Sequence, residues 1–189
     1  MKKLLLGIAA VCLAGFTFAQ DAPLWMRHSV ISPDGTTIAF TYKGDIYTVP
    51  VAGGRAMQIT TNPAYDTAPV WSPDSKRIAF ASDRMGSLDV YIVAKDGGEP
   101  RRLTTHSGSE TPLAFTDAGH VLFSAGIMPS AEAVVFPSNG QFNQVYRVSV
   151  EGGRPTMISS MPMECISINK EGAMLYQDKK GYEAVSYTH

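Results

Sequence analysis

A chain of 189 residues that is 44 % hydrophobic and 17 % charged is rich enough in apolar groups to fold. Its formal charge of −1 gives it no electrostatic hold on nucleic acid or an anionic membrane surface, and the basic doublets Arg101-Arg102 and Lys179-Lys180 are too short for a phosphate track. Of its two cysteines one lies in the leader described next, so the mature chain can form neither an intrachain disulfide nor a paired-cysteine metal site.

Lys2 and Lys3 precede an apolar run from Leu4 to Phe16, and Thr17-Phe18-Ala19 places small residues where a signal peptidase cuts. Residues 1–19 read as a secretory signal peptide cleaved after Ala19, which predicts a periplasmic or extracellular location. The mature chain then carries 14 basic and 17 acidic side chains, a formal charge of −3. Cys12 follows Val11, a residue of the wrong size for a lipid-attachment site.

From there the chain repeats itself. Ser32-Pro33-Asp34-Gly35 leads into Ile38-Ala39-Phe40, and Ser72-Pro73-Asp74-Ser75 leads into Ile78-Ala79-Phe80. Worn copies run from Asp117 to Val121-Leu122-Phe123 and from Lys170 to Met174-Leu175-Tyr176. The aromatics are 40, 43 and 53 residues apart. In each unit an inner strand (Ala68 to Trp71 in the second) meets a turn, where proline presets one backbone angle and aspartate can bond the backbone beyond it. A second strand follows (Arg77 to Ser82), then a third opened by a polar residue: Asp45 to Val49, Asp89 to Val93 and Gln144 to Val148. Gly53-Gly54, Gly97-Gly98 and Gly152-Gly153 suit tight hairpins before short outer strands at Met57 to Thr60, Arg101 to Thr104 and Thr156 to Ser159.

This period, with no helical periodicity over any long stretch, predicts an all-β fold of β-propeller blades, about four four-stranded antiparallel blades over residues 20–183. Four blades do not close such a ring comfortably, so an incomplete propeller is expected, prone to self-association through its unpaired edges. The third unit carries an insertion between Ala125 and Gln144, including Pro129, Pro137, Asn139 and Gly140, which reads as a loop on one rim.

Catalytic signatures are sparse. There is no G-x-S-x-G elbow, no His-Glu-x-x-His and no phosphate loop, and His28, His106, His120 and His189 are scattered away from metal-ligand spacing. No catalytic, cofactor-binding or metal-binding residue is assigned, and no cofactor is expected. Asp34, Asp74, Asp45 and Asp89 read as turn-locking side chains rather than as a carboxylate pair. Cys165, in the run Cys165-Ile166-Ser167-Ile168, reads as a buried inert thiol.

The unit from Ala68 to Ser107 resembles the WD-like propeller repeat of TolB-type proteins, prolyl-oligopeptidase-type enzymes and tricorn-type peptidases. The stretches from Pro23 to Gly54, from Leu103 to Thr116 and from Leu175 to Glu183 are similar, in that order, to secreted bacterial tricorn-like serine peptidases. That resemblance spans about residues 22 to 183. It implies a propeller that gates or routes peptides for a distant catalytic domain, with peptide or protein substrates, further blades and that domain as its partners. The segment itself is expected to lack hydrolytic activity. The ending Ala184 to His189 departs from the family pattern and reads as a foreign or frameshifted tail on a truncated chain. The alternative is a TolB-like periplasmic propeller that binds proteins without chemistry; homo-oligomerisation stays open under both.

Overall fold

The computed structural model describes residues 25–126, 143–161, 163–169 and 171–178, and every regular element in them is a β-strand. The first blade is β1 (Arg27–Ile31), β2 (Thr37–Tyr42), β3 (Asp45–Pro50) and β4 (Met57–Gln58). The second is β5 (Asp66–Trp71), β6 (Arg77–Ser82), β7 (Asp89–Ala94) and β8 (Arg101–Arg102). The third is β9 (Glu110–Asp117), β10 (His120–Ala125), β11 (Gln144–Ser149) and β12 (Thr156–Ser159). Each of these is an antiparallel meander in sequence order, and β13 (Met163–Ile168) pairs with β14 (Met174–Asp178) as the described part of a fourth. The propeller architecture expected from the repeat is present, with three complete four-stranded blades. The signal-peptide segment, most of the rim insertion and the tail at 184–189 lie outside the described residues, as does Lys170.

The Ser-Pro-Asp turn works as its chemistry suggests. Asp34 Oδ1 accepts hydrogen bonds from the Ser32 hydroxyl at 2.5 Å and the Thr36 amide at 3.0 Å, while Ser32 Oγ accepts from the Thr37 amide at 3.0 Å. Ser72, Asp74, Lys76 and Arg77 repeat the pattern in the second blade. The serine hydroxyl in each turn holds its aspartate below the usual carboxylate range. In the third blade the turn shrinks to Ala118-Gly119, with Asp117 accepting from the Gly119 amide at 2.6 Å. In the fourth, Asn169 takes the serine's place: its side chain accepts from the Ala173 amide at 2.8 Å.

Two local expectations are corrected. The Gly-Gly pairs do not form tight two-residue hairpins. Thr48 pairs with Met57, Ile92 with Arg101 and Arg147 with Thr156, so each pair lies inside a longer link. Both glycines of every pair have positive φ, in the sequence of a β-turn followed by a left-handed exit that leads the chain to the blade edge. Cys165 is exposed, not buried. It has φ 51° at a bulge in β13, and among the described residues no third strand covers that blade.

That bulge recurs in all four units. β1 gains one residue against β2 between Arg27 and Val30, β5 against β6 between Thr67 and Val70, and β13 against β14 between Glu164 and Ser167. β9 gains one against β10 between Pro112 and Ala114. His28, Ala68 and Cys165 occupy equivalent places with φ near 50°, a conformation that costs a non-glycine residue about 1–2 kcal/mol. A bulge bends and twists its strand, and β1, β5, β9 and β13 are the strands that neighbour one another from blade to blade.

Packing lies between blades. One core holds Ile46, Ile59, Trp71, Ile78, Phe80 and Val93, joining the first blade to the second. The other holds Ala79, Val90, Leu103, Phe115, Phe123 and Val148, joining the second to the third. The second blade is therefore covered on both faces: five of the six residues of β6 are buried, alternate ones in different cores. In each of the three complete blades a Phe–Tyr cross-strand pair stacks, Phe40–Tyr47 at 5.8 Å, Phe80–Tyr91 at 6.0 Å and Phe123–Tyr146 at 5.7 Å between centroids. Replacing Phe80, which is wholly buried, by alanine should lower the unfolding free energy by about 3–5 kcal/mol in urea titration. The same change at exposed Met57 should shift it by less than about 0.5 kcal/mol.

Candidate functional site

Adjacent blades meet at their outer half in a cleft whose floor carries charge. The geometry follows from two backbone bonds. The Asp66 amide donates to the Gly44 carbonyl at 2.7 Å, and the Glu110 amide donates to the Leu88 carbonyl at 2.7 Å. Each bond ties the first residue of an inner strand to the residue just before the third strand of the preceding blade. The acidic heads of those third strands, Asp45 and Asp89, are thereby brought beside Asp66 and Glu110. From sequence, equivalent positions in neighbouring blades had no need to approach each other. The carboxylates that do meet occupy different positions in their own repeats, 21 residues apart at both junctions.

At the first junction Asp45 accepts from Gln58 Nε2 at 2.9 Å and from the Thr60 hydroxyl at 3.2 Å. Burial raises its carboxyl, with Thr60 working against the rise and Asp66 adding to it. Asp66 is completely buried and is met by Arg84, which comes from the six-residue link between β6 and β7. Arg84 Nη2 reaches the two Asp66 oxygens at 3.1 and 3.0 Å, and its Nε donates to Ser82 Oγ at 2.8 Å. Its guanidinium lies 4.5 Å from the Tyr91 ring centroid and 5.6 Å from that of Phe80.

At the second junction the pattern is shifted by 44 residues. Thr104 Oγ1 accepts from the Val90 amide at 2.9 Å, as Thr60 Oγ1 accepts from that of Ile46 at 3.0 Å. Arg102 stands where Gln58 stood and pairs with buried Asp89 at 2.8 Å. Glu110 stands where Asp66 stood and is equally buried, with the Thr104 hydroxyl and the Asp89 carboxyl group beside it. Burial pushes its carboxyl up to about 7; the Thr104 hydroxyl opposes the rise and the neighbouring Asp89 carboxylate adds to it. The cleft above it, about 810 Å³, has Glu110, Thr104 and Arg102 toward the floor, Tyr146 on the wall, and His106 and Arg154 among its other lining residues. The first-junction cleft, about 660 Å³, is lined by the corresponding residues Thr60, Tyr91, Asn62 and Glu99, with Arg84 reaching into it.

None of this was assigned from sequence, where Asp45 and Asp89 were read only as turn locks. Asp45 does bond its own blade's outer strand; Asp89 does so through an ion pair instead. Asp66, Arg84 and Glu110 drew no notice, and Arg102 was read only as half of a basic doublet. The signal that could have found them is the 44-residue offset, which aligns Asp45 with Asp89, Thr60 with Thr104 and Asp66 with Glu110. His28 Nδ1 lies 3.1 Å from the Thr67 hydroxyl, His106 Nδ1 accepts from the Gly108 amide at 2.9 Å, and His120 Nδ1 lies 3.0 Å from Asp117. His189 lies outside the described residues. Among the described residues no three His, Cys, Asp or Glu side chains converge as a metal site would.

Meandering four-stranded blades joined face to face, with inner strands adjacent and clefts repeating from junction to junction, define a β-propeller domain. The family model of the tricorn protease N-terminal β-propeller domain matches residues 23–186, and the chain belongs to that family. It is 35 % identical over 102 residues to tricorn protease homolog 1 of Streptomyces coelicolor, covering 53 % of this chain and 9 % of that one. It is 30 % identical over 129 residues to the uncharacterized peptidase YuxL of Bacillus subtilis, covering 67 % and 20 % respectively. Among solved structures it superposes on a putative TolB from Agrobacterium tumefaciens with a TM-score of 0.66 at 18 % identity, covering 83 % of this chain and 55 % of that one. The chain thus spans a fifth or less of the length of these two curated relatives.

Two measurements check the junction chemistry. Removing the guanidinium in Arg84→Met strands a buried Asp66 carboxylate and should cost about 3–5 kcal/mol in urea titration. Glu110 acts with the opposite sign. Its folded carboxyl titrates at about 7 against an ordinary 4.5, so its favourable contribution is complete below pH 4.5 and is lost as pH rises through 7. Wild type should lose up to roughly 3 kcal/mol across that window, at 1.36 kcal/mol per pKa unit. Glu110→Gln should remove that slope and be the more stable protein at pH 8.

Proposed function

We infer that this propeller handles extended peptides for a tricorn-like serine peptidase, in the periplasm or outside the cell, and that it performs no hydrolysis itself. The observation that carries the reading is the family match over residues 23–186, which coincides with the blade array. Three features support it. The relatives at 30 and 35 % identity bear peptidase names. The leader Lys2 to Ala19 has the pattern of a secretory signal. The clefts between blades combine aromatic walls with hydrogen-bonding floors, a surface suited to backbone and side chains of an unfolded segment rather than to one small apolar ligand.

A second reading, a TolB-like propeller that docks folded proteins, draws on the structural likeness to the Agrobacterium protein. The two separate by what is retained. Fluorescence anisotropy with labelled, unstructured casein-derived peptides should show saturable binding by the purified chain, with no peptide cleaved over a day. Binding of folded periplasmic proteins in preference to every peptide would replace the first reading by the second.

A further inference from the structure

The rim of the first junction carries a small pocket whose lining residues the second junction does not repeat. It measures about 310 Å³ and is lined by Trp25, Arg27, Thr41, Lys43, Gly44 and Tyr65. Arg27 of β1 lies directly opposite Thr41 of β2, and Lys43-Gly44 is the link that leaves β2. Tyr65 comes from the link before β5 and leans on Gly44, where an added Cβ would touch its ring at 3.6 Å. Both rings of the pocket are exposed, Trp25 at 73 %. The Arg27 guanidinium lies 5.5 Å from the Trp25 ring centroid, and Lys43 Nζ lies 5.3 Å from that of Tyr42. Among the described residues neither cation forms an ion pair. The neighbouring acid Asp83 accepts from the Tyr65 amide at 2.7 Å. Thr41 is buried, at 2 % exposure, and its hydroxyl meets no hydrogen-bond partner.

The second blade builds the same ladder without this set. Thr67 faces Ala81 there as Arg27 faces Thr41, so the cation becomes a hydroxyl and the buried hydroxyl becomes a methyl. The 44-residue offset that matches Asp66 to Glu110 takes Gly44 to Leu88 and Tyr65 to Ser109. A buried hydroxyl without a partner destabilises the fold, and alanine at the same place in β6 avoids that penalty. Thr41 therefore has a hydrogen bond to give, and Arg27 has a charge to match.

We propose that this pocket is a subsite for an acidic side chain of a bound peptide. Arg27 is its ion-pair donor, Lys43 a second positive charge and Thr41 a hydrogen-bond donor, while Trp25 and Tyr65 receive an apolar neighbour of the acid. This assignment rests on the peptide-handling reading above and names one class of side chain that the propeller selects. A pocket less than half the size of either junction cleft takes a side chain rather than a length of chain. A guanidinium is planar, donates to both oxygens of a carboxylate and keeps its charge beside an aromatic ring.

The probes are acetyl-Gly-Phe-Glu-Gly-amide and its counterpart with glutamine for glutamate. Each is titrated into the purified chain by calorimetry and followed by the indole N–H NMR resonances. The glutamate peptide should bind about tenfold tighter than the glutamine peptide. It should move the resonance of Trp25 and leave that of buried Trp71 in place. Arg27→Gln should abolish the preference, and Arg27→Lys should keep part of it. Thr41→Ala should weaken binding about threefold without lowering the urea midpoint. Equal affinity for the two peptides, an undiminished preference in Arg27→Gln, or no binding of either overturns the acidic subsite. Casein-derived peptides retained in the anisotropy assay would then leave peptide handling standing, and their failure would remove both readings. A glutamine peptide with a free terminal carboxylate that binds as tightly as the amidated glutamate peptide would assign the pocket to a chain end and overturn the proposal.

Discussion

A blade of this protein has two apolar faces and no interior of its own, so every blade depends on its neighbour for burial. The consequence is visible strand by strand. β6 and β7 of the second blade are buried along almost their whole length, whereas β1 is exposed at four of its five residues. Apolar burial stabilises by about 25 cal/mol per Å² removed from water, and here that area exists only where two sheets face each other. Whatever aligns one blade on the next therefore governs the stability of both. The bonds that do so are spread along the radius. Trp71 Nε1 donates to the Val30 carbonyl at 3.2 Å, the Asp34 amide donates to Ser75 Oγ at 3.1 Å, and Arg77 donates to the Ala118 carbonyl.

Alignment also forces charge inward. Tying the Asp66 and Glu110 amides to the preceding blade places two carboxylates at each junction. A buried carboxylate needs a partner or a proton. The first junction supplies Arg84 to one acid and Gln58 with Thr60 to the other, leaving Asp45 only half buried. The second junction buries both acids and gives Asp89 an arginine, so the strain falls on Glu110. Its raised titration follows from burial in a geometry fixed by packing.

Much of the fold was legible because turn chemistry and strand period are local. Ser32, Pro33 and Asp34 announce a turn whichever blade follows, and the alternation in Ile78-Ala79-Phe80 reports two faces with different partners. β6 runs from Arg77 to Ser82, as its pattern predicted. The bulges at His28, Ala68 and Cys165 were hidden, because a left-handed residue that is not glycine leaves no compositional mark and the need for it comes from the curvature of the whole array. The length of the Gly-Gly links was misjudged for a related reason: paired glycines permit a tight hairpin but do not require one. The junction charges were hidden differently. Asp45 and Asp66 lie 21 residues apart in different blades, and only their juxtaposition in space makes them a site.

The same scaffold explains how clefts of one shape acquire different chemistry. The link between the second and third strands holds two residues in the first blade, six in the second and eighteen in the third. The shortest, Lys43-Gly44, has positive φ at both residues, the geometry of a tight twisted hairpin, and its carbonyl is spent on anchoring Asp66. The six-residue link is long enough both to anchor Glu110 through Leu88 and to send Arg84 back across Tyr91 into the cleft behind it. Strand pairing on either side is unaffected, since the ladders from Thr37–Pro50, Arg77–Ala94 and His120–Ser149 keep an unbroken register. Change concentrates where backbone is not committed to the sheet. One side chain on such a link, Arg84, closes the buried Asp66 carboxylate off within the chain.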